Sequence, residues 1–214
     1  MSRTGLTVPE RYLEDFFMAR RRFVERILRA RSMEELETEV LRVANLLAPT
    51  IATCGPAGVN AAPFMVSFLV KEEYLGEVLD RMREFRKKYW GKGMKARIEA
   101  AKLLLETVYD PEKADPLRLV THLMVKGHTW INVIATGEAT ISILIPPDKG
   151  AYELRAKASV HENGPIYEYA NLMHDLMHGI PEGRQTHEWY PALLLEIKEI
   201  YDNSYQALGK RIFP

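Results

Sequence analysis

LRLVTHLMVKGHTWINVIATGEATISILIPPDKGAYELRAKASVH, residues 117–161, is the stretch whose reading decides the fold. Leu119 to Val125 reads as a strand, and Lys126-Gly127-His128 as a turn. Thr129 to Ala135 is rich in β-branched residues and reads as the next strand, with Thr136-Gly137 turning the chain again. Glu138 to Ile145 follows, ended by Pro146-Pro147-Asp148-Lys149-Gly150, and Ala151 to His161 closes the series. In that last segment Tyr152, Leu154, Ala156, Ala158 and Val160 alternate with Glu153, Arg155, Lys157, Ser159 and His161. Such alternation marks a strand with one wet face. Turns this short join antiparallel neighbours, so the segment predicts an α+β protein rather than a doubly wound α/β sheet, with no helix longer than one turn between 119 and 161.

Working outward, Thr50 to Cys54 and Val59 to Val70 read as two more strands about the turn Gly55-Pro56-Ala57-Gly58, giving six. Lys71 onward is helical, broken by Gly91 and Gly93, and Asp110-Pro111 and Asp115-Pro116 end it. Before the strands, Thr7 with Glu10 and Ser32 with Glu35 have capping-box spacing, and each opens an apolar helical pattern. After them, helices are expected over 166–178 and from about Thr186 to Leu208. The expected fold is thus a six-stranded antiparallel barrel-like sheet with an N-terminal helical hairpin, a helical insert and two C-terminal helices. One domain, 1–214, would comprise the hairpin (1–48), the β core with its insert at 71–108 (49–161) and the C-terminal helices (162–214).

The 29 basic and 29 acidic side chains cancel, so no global field steers the molecule to nucleic acid or membrane. Cys54 is the one cysteine, which excludes an intrachain disulfide framework. The opening residues carry no apolar signal core, no Asn-x-Ser/Thr acceptor occurs, and the longest weakly polar run, Ala61 to Val70, is too short to span a bilayer. A cytoplasmic location is the expectation. Glutamine occurs only at Gln185 and Gln206 amid many charges, a bias that fits a heat-loving source.

Three features carry candidate chemistry. The first is Ile51-Ala52-Thr53, Gly55-Pro56-Ala57-Gly58 and Asn60-Ala61-Ala62-Pro63-Phe64, together with the later strand Tyr152 to Val160. These two segments resemble the opening hairpin and a later strand of the flavin-binding split-barrel family, the pyridoxamine-phosphate-oxidase-like fold. The resemblance implies bound FMN, oxidoreductase chemistry and a homodimer. It implies a cleft in which Asn60, Ala61, Ala62 and Pro63 admit the flat ring, while Arg118 and Thr121, with Lys126, take the phosphate. The chain departs from that family at Lys71, where a long helical insert replaces the strands that usually hold the phosphate.

The second feature is a histidine cluster: His161, His174, His178 and His187 lie within 27 residues (161 to 187 inclusive). His174 and His178 are four apart on an expected helix, so both imidazoles project from one face. With His187 or Asp175 as a third ligand they have the donor set for zinc or another divalent metal and a water-activating hydrolase site. The HExxH pattern is missing, and a histidine at 178 also suits a helix C-terminus.

The third is the basic segment 81–102, where Arg81, Arg83, Arg86, Lys87, Lys88, Lys92, Lys95, Arg97 and Lys102 face only Glu84 and Glu99, with Phe85, Tyr89 and Trp90 interleaved. It reads as a solvated face, a subunit contact or a binding site for an anionic partner such as nucleic acid. Arg20-Arg21-Arg22 reads as solvated too, and Cys54 as a small apolar filler. Three functions follow: a flavoprotein, a metal-binding protein or hydrolase, and a non-catalytic oligomer with an anionic partner.

Overall fold

The computed structural model describes residues 7–89, 91–145, 150–178 and 188–214. The chain opens with α1 (Glu10–Tyr12), a π-helical stretch (Leu13–Met18) and α2 (Ala19–Ile27), followed by α3 (Met33–Arg42) and α4 (Ala44–Leu47). Ser32 caps α3 by accepting the Glu35 N–H, as its spacing implied, whereas Thr7 makes no cap and Pro9 occupies the first helix's N-cap without a side-chain bond. β1 (Thr50–Gly55), β2 (Gly58–Pro63) and β3 (Ser67–Val70) follow, then α5 (Glu72–Tyr89) and α6 (Gly93–Glu106), the expected helical insert. The remainder is β4 (Ala114–His122), α7 (His128–Thr136), β5 (Glu138–Ile145), β6 (Gly150–His161), α8 (Gly164–His178), β7 (Ala192–Asp202) and β8 (Lys210–Phe213).

All strand pairs are antiparallel, and the hydrogen-bonded order is β2-β1-β5-β6-β7-β4-β3, with β8 also on β7. The α+β antiparallel reading holds, with eight strands where six were expected. The ladder is open, yet its two end strands are neighbours in sequence. Residues 64–66 carry the chain from β2, at one end of the order, to β3 at the other. Across that gap Phe64 N–H donates to Pro49 O (3.1 Å) and Val66 N–H to Leu47 O (3.0 Å). The single strand expected over 59–70 is therefore two, parted at the bend.

Two expected elements take the other secondary structure. Residues 129–135 are not a strand but the body of α7, closed by Gly137 in the left-handed region at φ 68°. Thr129, Asn132 and Val133 are its buried residues, at positions i, i+3 and i+4 of one helical face. The expected terminal helix is also wrong: Ala192–Asp202 is β7, held between β6 on one side and β4 and β8 on the other. In addition, Asp115-Pro116 lies inside β4, where the register against β3 shifts between Phe68 and Leu69. A bulge is where a proline, lacking an N–H for the ladder, is tolerated.

The core joins the N-terminal helices to the sheet through rings. Phe16 and Phe17 stand 5.2 and 5.1 Å from Phe68, and Tyr12 meets Tyr152 edge-on at 5.8 Å. Arg20, expected in solvent, lies inside this cluster at 1% exposure and donates to the Val66 carbonyl. Its guanidinium sits 5.5 and 5.2 Å from the Phe16 and Phe68 ring centres. Arg21 is likewise engaged, donating to Tyr109 O. Among the described residues, no helix is long and apolar enough to cross a membrane.

Candidate functional site

The α7 helix fixes the β1–β2 hairpin. Asn132, fully buried, accepts from Ala57 N–H (2.9 Å) and donates to Gly58 O (2.8 Å) and Thr53 Oγ1 (3.2 Å). Asn60 Nδ2 adds a bond to Thr129 Oγ1 (2.7 Å). Gly55 lets the hairpin approach this closely, since a Cβ there would stand 2.9 Å from Asn132 Oδ1 and 3.2 Å from its Cα. Gly137 ends α7 and turns straight into β5, and its carbonyl accepts from Ala158 N–H at 2.7 Å.

Beside this hairpin lies an open cleft of about 720 Å³ floored by four adjacent strands. β1 contributes Ala52, Thr53 and Cys54; β5 contributes Glu138, Ala139 and Thr140; β6 contributes Arg155, Ala156 and Lys157; β7 contributes Lys198 and Glu199. The pairing register places Ala52 opposite Thr140, Thr140 opposite Arg155, and Arg155 opposite Glu199, one row across the sheet. A register shift between Arg155 and Ala156 re-aims the side chains on the β7 side. The floor is small and apolar at Ala139 and Ala156, and its rim is charged, with Arg155, Lys157 and Lys198 set among Glu138 and Glu199 and with Lys198 3.9 Å from Glu196.

Arg155 is braced by Glu153 (2.9 Å) and Glu199 (3.5 Å) and lies over the Tyr201 ring at 4.5 Å. The Glu153 hydrogen bond is the foremost cause of a guanidinium pKa above its ordinary value. Lys157 stands across the ladder from Glu138 on β5 and from Glu196 on β7. Cys54, expected as a filler, is an exposed free thiol at the cleft edge.

The residues expected to hold a flavin are distributed differently. Asn60 to Pro63 lie on β2 with Asn60 opposite Thr53, while Arg118 and Thr121 lie on β4 near the other end of the strand order. Thr121 Oγ1 is engaged by Met65 O at 2.6 Å, Arg118 is the register partner of Glu196, and Lys126 pairs with Glu162 at 2.7 Å. Sequence reading quoted Arg155 and Lys157 as the wet face of a strand without giving them a role. It missed Asn132, Gly137 and Lys198; the alternation along β6 was the one available signal.

The candidate metal ligands fall only partly within the described residues. His174 meets His122 of β4, ring centres 5.1 Å apart, and Asp175, offered as a third ligand, is held by Arg86 at 3.0 Å. His161 bonds Ser159 Oγ at 3.0 Å. Burial first, then the Arg118 charge, pushes its pKa down, with Glu196 opposing. His187 lies outside the described residues, and His178 is described only as the last residue of α8. Among the described residues no three His, Cys, Asp or Glu side chains form a metal-holding group.

The basic segment is largely paired. Arg81 bonds Glu106, Arg83 bonds Glu168 (2.6 Å) and Asp80 (2.5 Å), Arg86 bonds Asp175, and Lys102 bonds Glu99 (2.7 Å). Two of these pairs clamp the insert to α8. Lys88 and Lys92 lie over the Tyr89 ring at 5.1 and 5.8 Å.

No family model matches the chain, and no curated protein matches its sequence. Several solved structures are similar in part. HupZ of Group A Streptococcus is 14% identical, covers 78% of this chain and 94% of its own, and gives a TM-score of 0.45. An FMN-binding protein from Syntrophomonas wolfei is 15% identical, over 87% of this chain and 95% of its own, with a TM-score of 0.39. A pyridoxamine 5′-phosphate oxidase-related, FMN binding protein from Nostoc punctiforme is 10% identical, over 86% and 98%, with a TM-score of 0.40. At such identities and scores the site rests on this chain's own side chains.

Proposed function

We propose that this protein binds FMN in the cleft over β1, β5, β6 and β7 and acts as a flavin-dependent oxidoreductase. One observation carries the reading. Ala52-Thr53 and Arg155-Ala156-Lys157 belong to the two segments that resemble the split-barrel flavoproteins, and both line this one cleft although about a hundred positions separate them. A volume of about 720 Å³ is in the range of cofactor sites.

Lys157, Lys198 and Arg155 hold the phosphate, Arg155 being pre-set by Glu153 and Glu199 so that little side-chain freedom is lost on binding. Ala52, Ala139 and Ala156 admit a flat ring close to the backbone, and Thr140 offers it a hydroxyl. Asn60, opposite Thr53, supports the site by fastening the hairpin to Thr129 rather than by touching the ring. The cofactor, when bound, supplies the electron transfer; the chain supplies position, charge and exclusion of water. The open side of the cleft, lined by Val59 at 83% exposure, suits coverage by a second copy of the chain.

Titration with FMN and riboflavin, followed by flavin fluorescence, tests the reading. FMN should bind more tightly than riboflavin, and Lys157→Ala should remove most of that preference while leaving riboflavin unchanged. Failure of both flavins to bind would end the proposal.

A further inference from the structure

A small cavity of about 50 Å³ lies between α8, the end of β4 and the bend at residues 64–66. One stripe of α8 walls it: Ala170, Met173, His174 and Met177 fall at i, i+3, i+4 and i+7. His122, the last residue of β4, shares the wall, and Met65 gives it an outer side at 40% exposure. The Thr121 hydroxyl fixes the Met65 backbone by donating to its carbonyl at 2.6 Å. Such a volume takes one ion or a few waters, and no organic ligand of ordinary size.

The wall brings three thioethers and two imidazoles together. Two histidines alone fall short of a metal site of the common kind, and the methionines supply the missing donors. Thioether sulfur is a soft donor that selects copper(I), and imidazole suits copper as well. Among the described residues that line the cavity, none carries a formal charge when the histidines are neutral. Asp175, next in sequence to His174, is held by Arg86 at 3.0 Å. With no carboxylate on the wall, a divalent ion would bring two uncompensated charges into a dry site and copper(I) only one. The spacing agrees. His122 and His174 have their ring centres 5.1 Å apart and their planes at 78°. Two imidazoles sharing one ion at a tetrahedral angle, through bonds of about 2.0–2.1 Å, have centres about 5 Å apart. His122 Nε2 and His174 Nδ1 are shielded from solvent. Each ring has two nitrogens, so one can take the ion while the other keeps a hydrogen-bond partner.

We propose that this cavity binds one copper(I) ion on His122, His174, Met173 and Met177, with Met65 at the entrance. The inference is independent of the flavin reading, because none of these residues lines the cleft over β1, β5, β6 and β7.

Anaerobic titration of the full chain against the copper(I)–bicinchoninate complex tests it, the fading of the complex counting the ions transferred. Cys54 is an exposed thiol that also takes copper(I), so the titration is made with Cys54→Ser. That protein should withdraw one equivalent. In the same background Met173→Leu and Met177→Leu, which keep the volume, should each weaken binding about tenfold or more, and His122→Phe should do the same. Zinc(II) should not displace the ion, and FMN titrations of these variants should match that of Cys54→Ser. Should His122→Phe misfold by circular dichroism, the two leucine variants decide the matter. No copper(I) withdrawn by Cys54→Ser, undiminished affinity in the double variant Met173→Leu/Met177→Leu, or equal affinity for zinc(II) would each overturn the proposal.

Discussion

Replacing Asn132 by Ala removes a side chain that ties α7 to the β1–β2 hairpin through three hydrogen bonds, to Ala57 N–H, Gly58 O and Thr53 Oγ1. At about 1 kcal/mol net for each, the sum is roughly 3 kcal/mol. Water can replace part of the loss at Ala57 and Gly58, which are partly exposed, but not at Thr53, which is 4% exposed. The expected cost is about 2–3 kcal/mol, or a Tm lower by roughly 4–12 °C for a chain of this size.

Gly55→Ala tests the same packing from the other side. Its new Cβ would crowd Asn132 Oδ1 at 2.9 Å and the backbone of the same residue at 3.2 Å, an overpacking that costs about 1–3 kcal/mol. In an Asn132→Ala background the side-chain clash is gone while the backbone crowding stays. The double variant should then be more stable than the summed single effects by about 1 kcal/mol. Urea unfolding of the four proteins, followed by circular dichroism, measures the cycle. An Asn132→Ala cost below about 0.5 kcal/mol, or strict additivity, would refute the reasoning.

Two further outcomes are expected. Arg20→Met should leave stability within about 1 kcal/mol of the parent or raise it, because Nε and Nη1 of this buried cation have no hydrogen-bond partner among the described residues, whereas Arg20→Ala should cost about 3 kcal/mol by opening a cavity; equal losses in urea melts would contradict this. His161 should titrate below the ordinary histidine value of about 6.5. Below that pH the unfolded chain takes up a proton that the folded chain resists, so the His161 contribution is complete above pH 6.5 and declines as pH falls through the folded value. Arg118→Gln should move the His161 NMR titration upward, and an unmoved midpoint would remove Arg118 as a cause.

The parts of the fold that could be read from sequence are those whose local preferences agree with their neighbours. β5 came out residue for residue, because Ala139, Ile141, Ile143 and Ile145 face inward in strict alternation. The two misread elements are cases where packing overrides propensity. In α7 the signal was Thr129, Asn132 and Thr136 at helical spacing, hidden by a search for apolar period in a run of β-branched residues. In β7 the sequence ALLLEIKEIYD is made largely of good helix formers, and it is a strand because β6 lies against it on one side with β4 and β8 on the other.

The candidate cleft was half legible for the same reason. Strand alternation sends Arg155 and Lys157 to the wet face, but only the pairing order reveals that Ala52 and Glu199 share it. Buried asparagines gave no warning at all. Asn132 and Asn171 both act as loop clasps, Asn171 bonding Tyr190 O and N–H at 3.0 Å each ahead of β7.

The bend at residues 64–66 bears on how the chain avoids its own kind in a crowded solution. An open sheet ordinarily presents two unpaired strand edges, either of which can template the addition of another chain. Here both end strands belong to one short stretch, 58–70, and four polar backbone groups of the bend between them are taken. Phe64 and Val66 spend their N–H groups on Pro49 and Leu47, Thr121 occupies the Met65 carbonyl, and Arg20 occupies that of Val66. A buried cation that looks costly to the folded state thus helps to hold the seam at which the sheet is open.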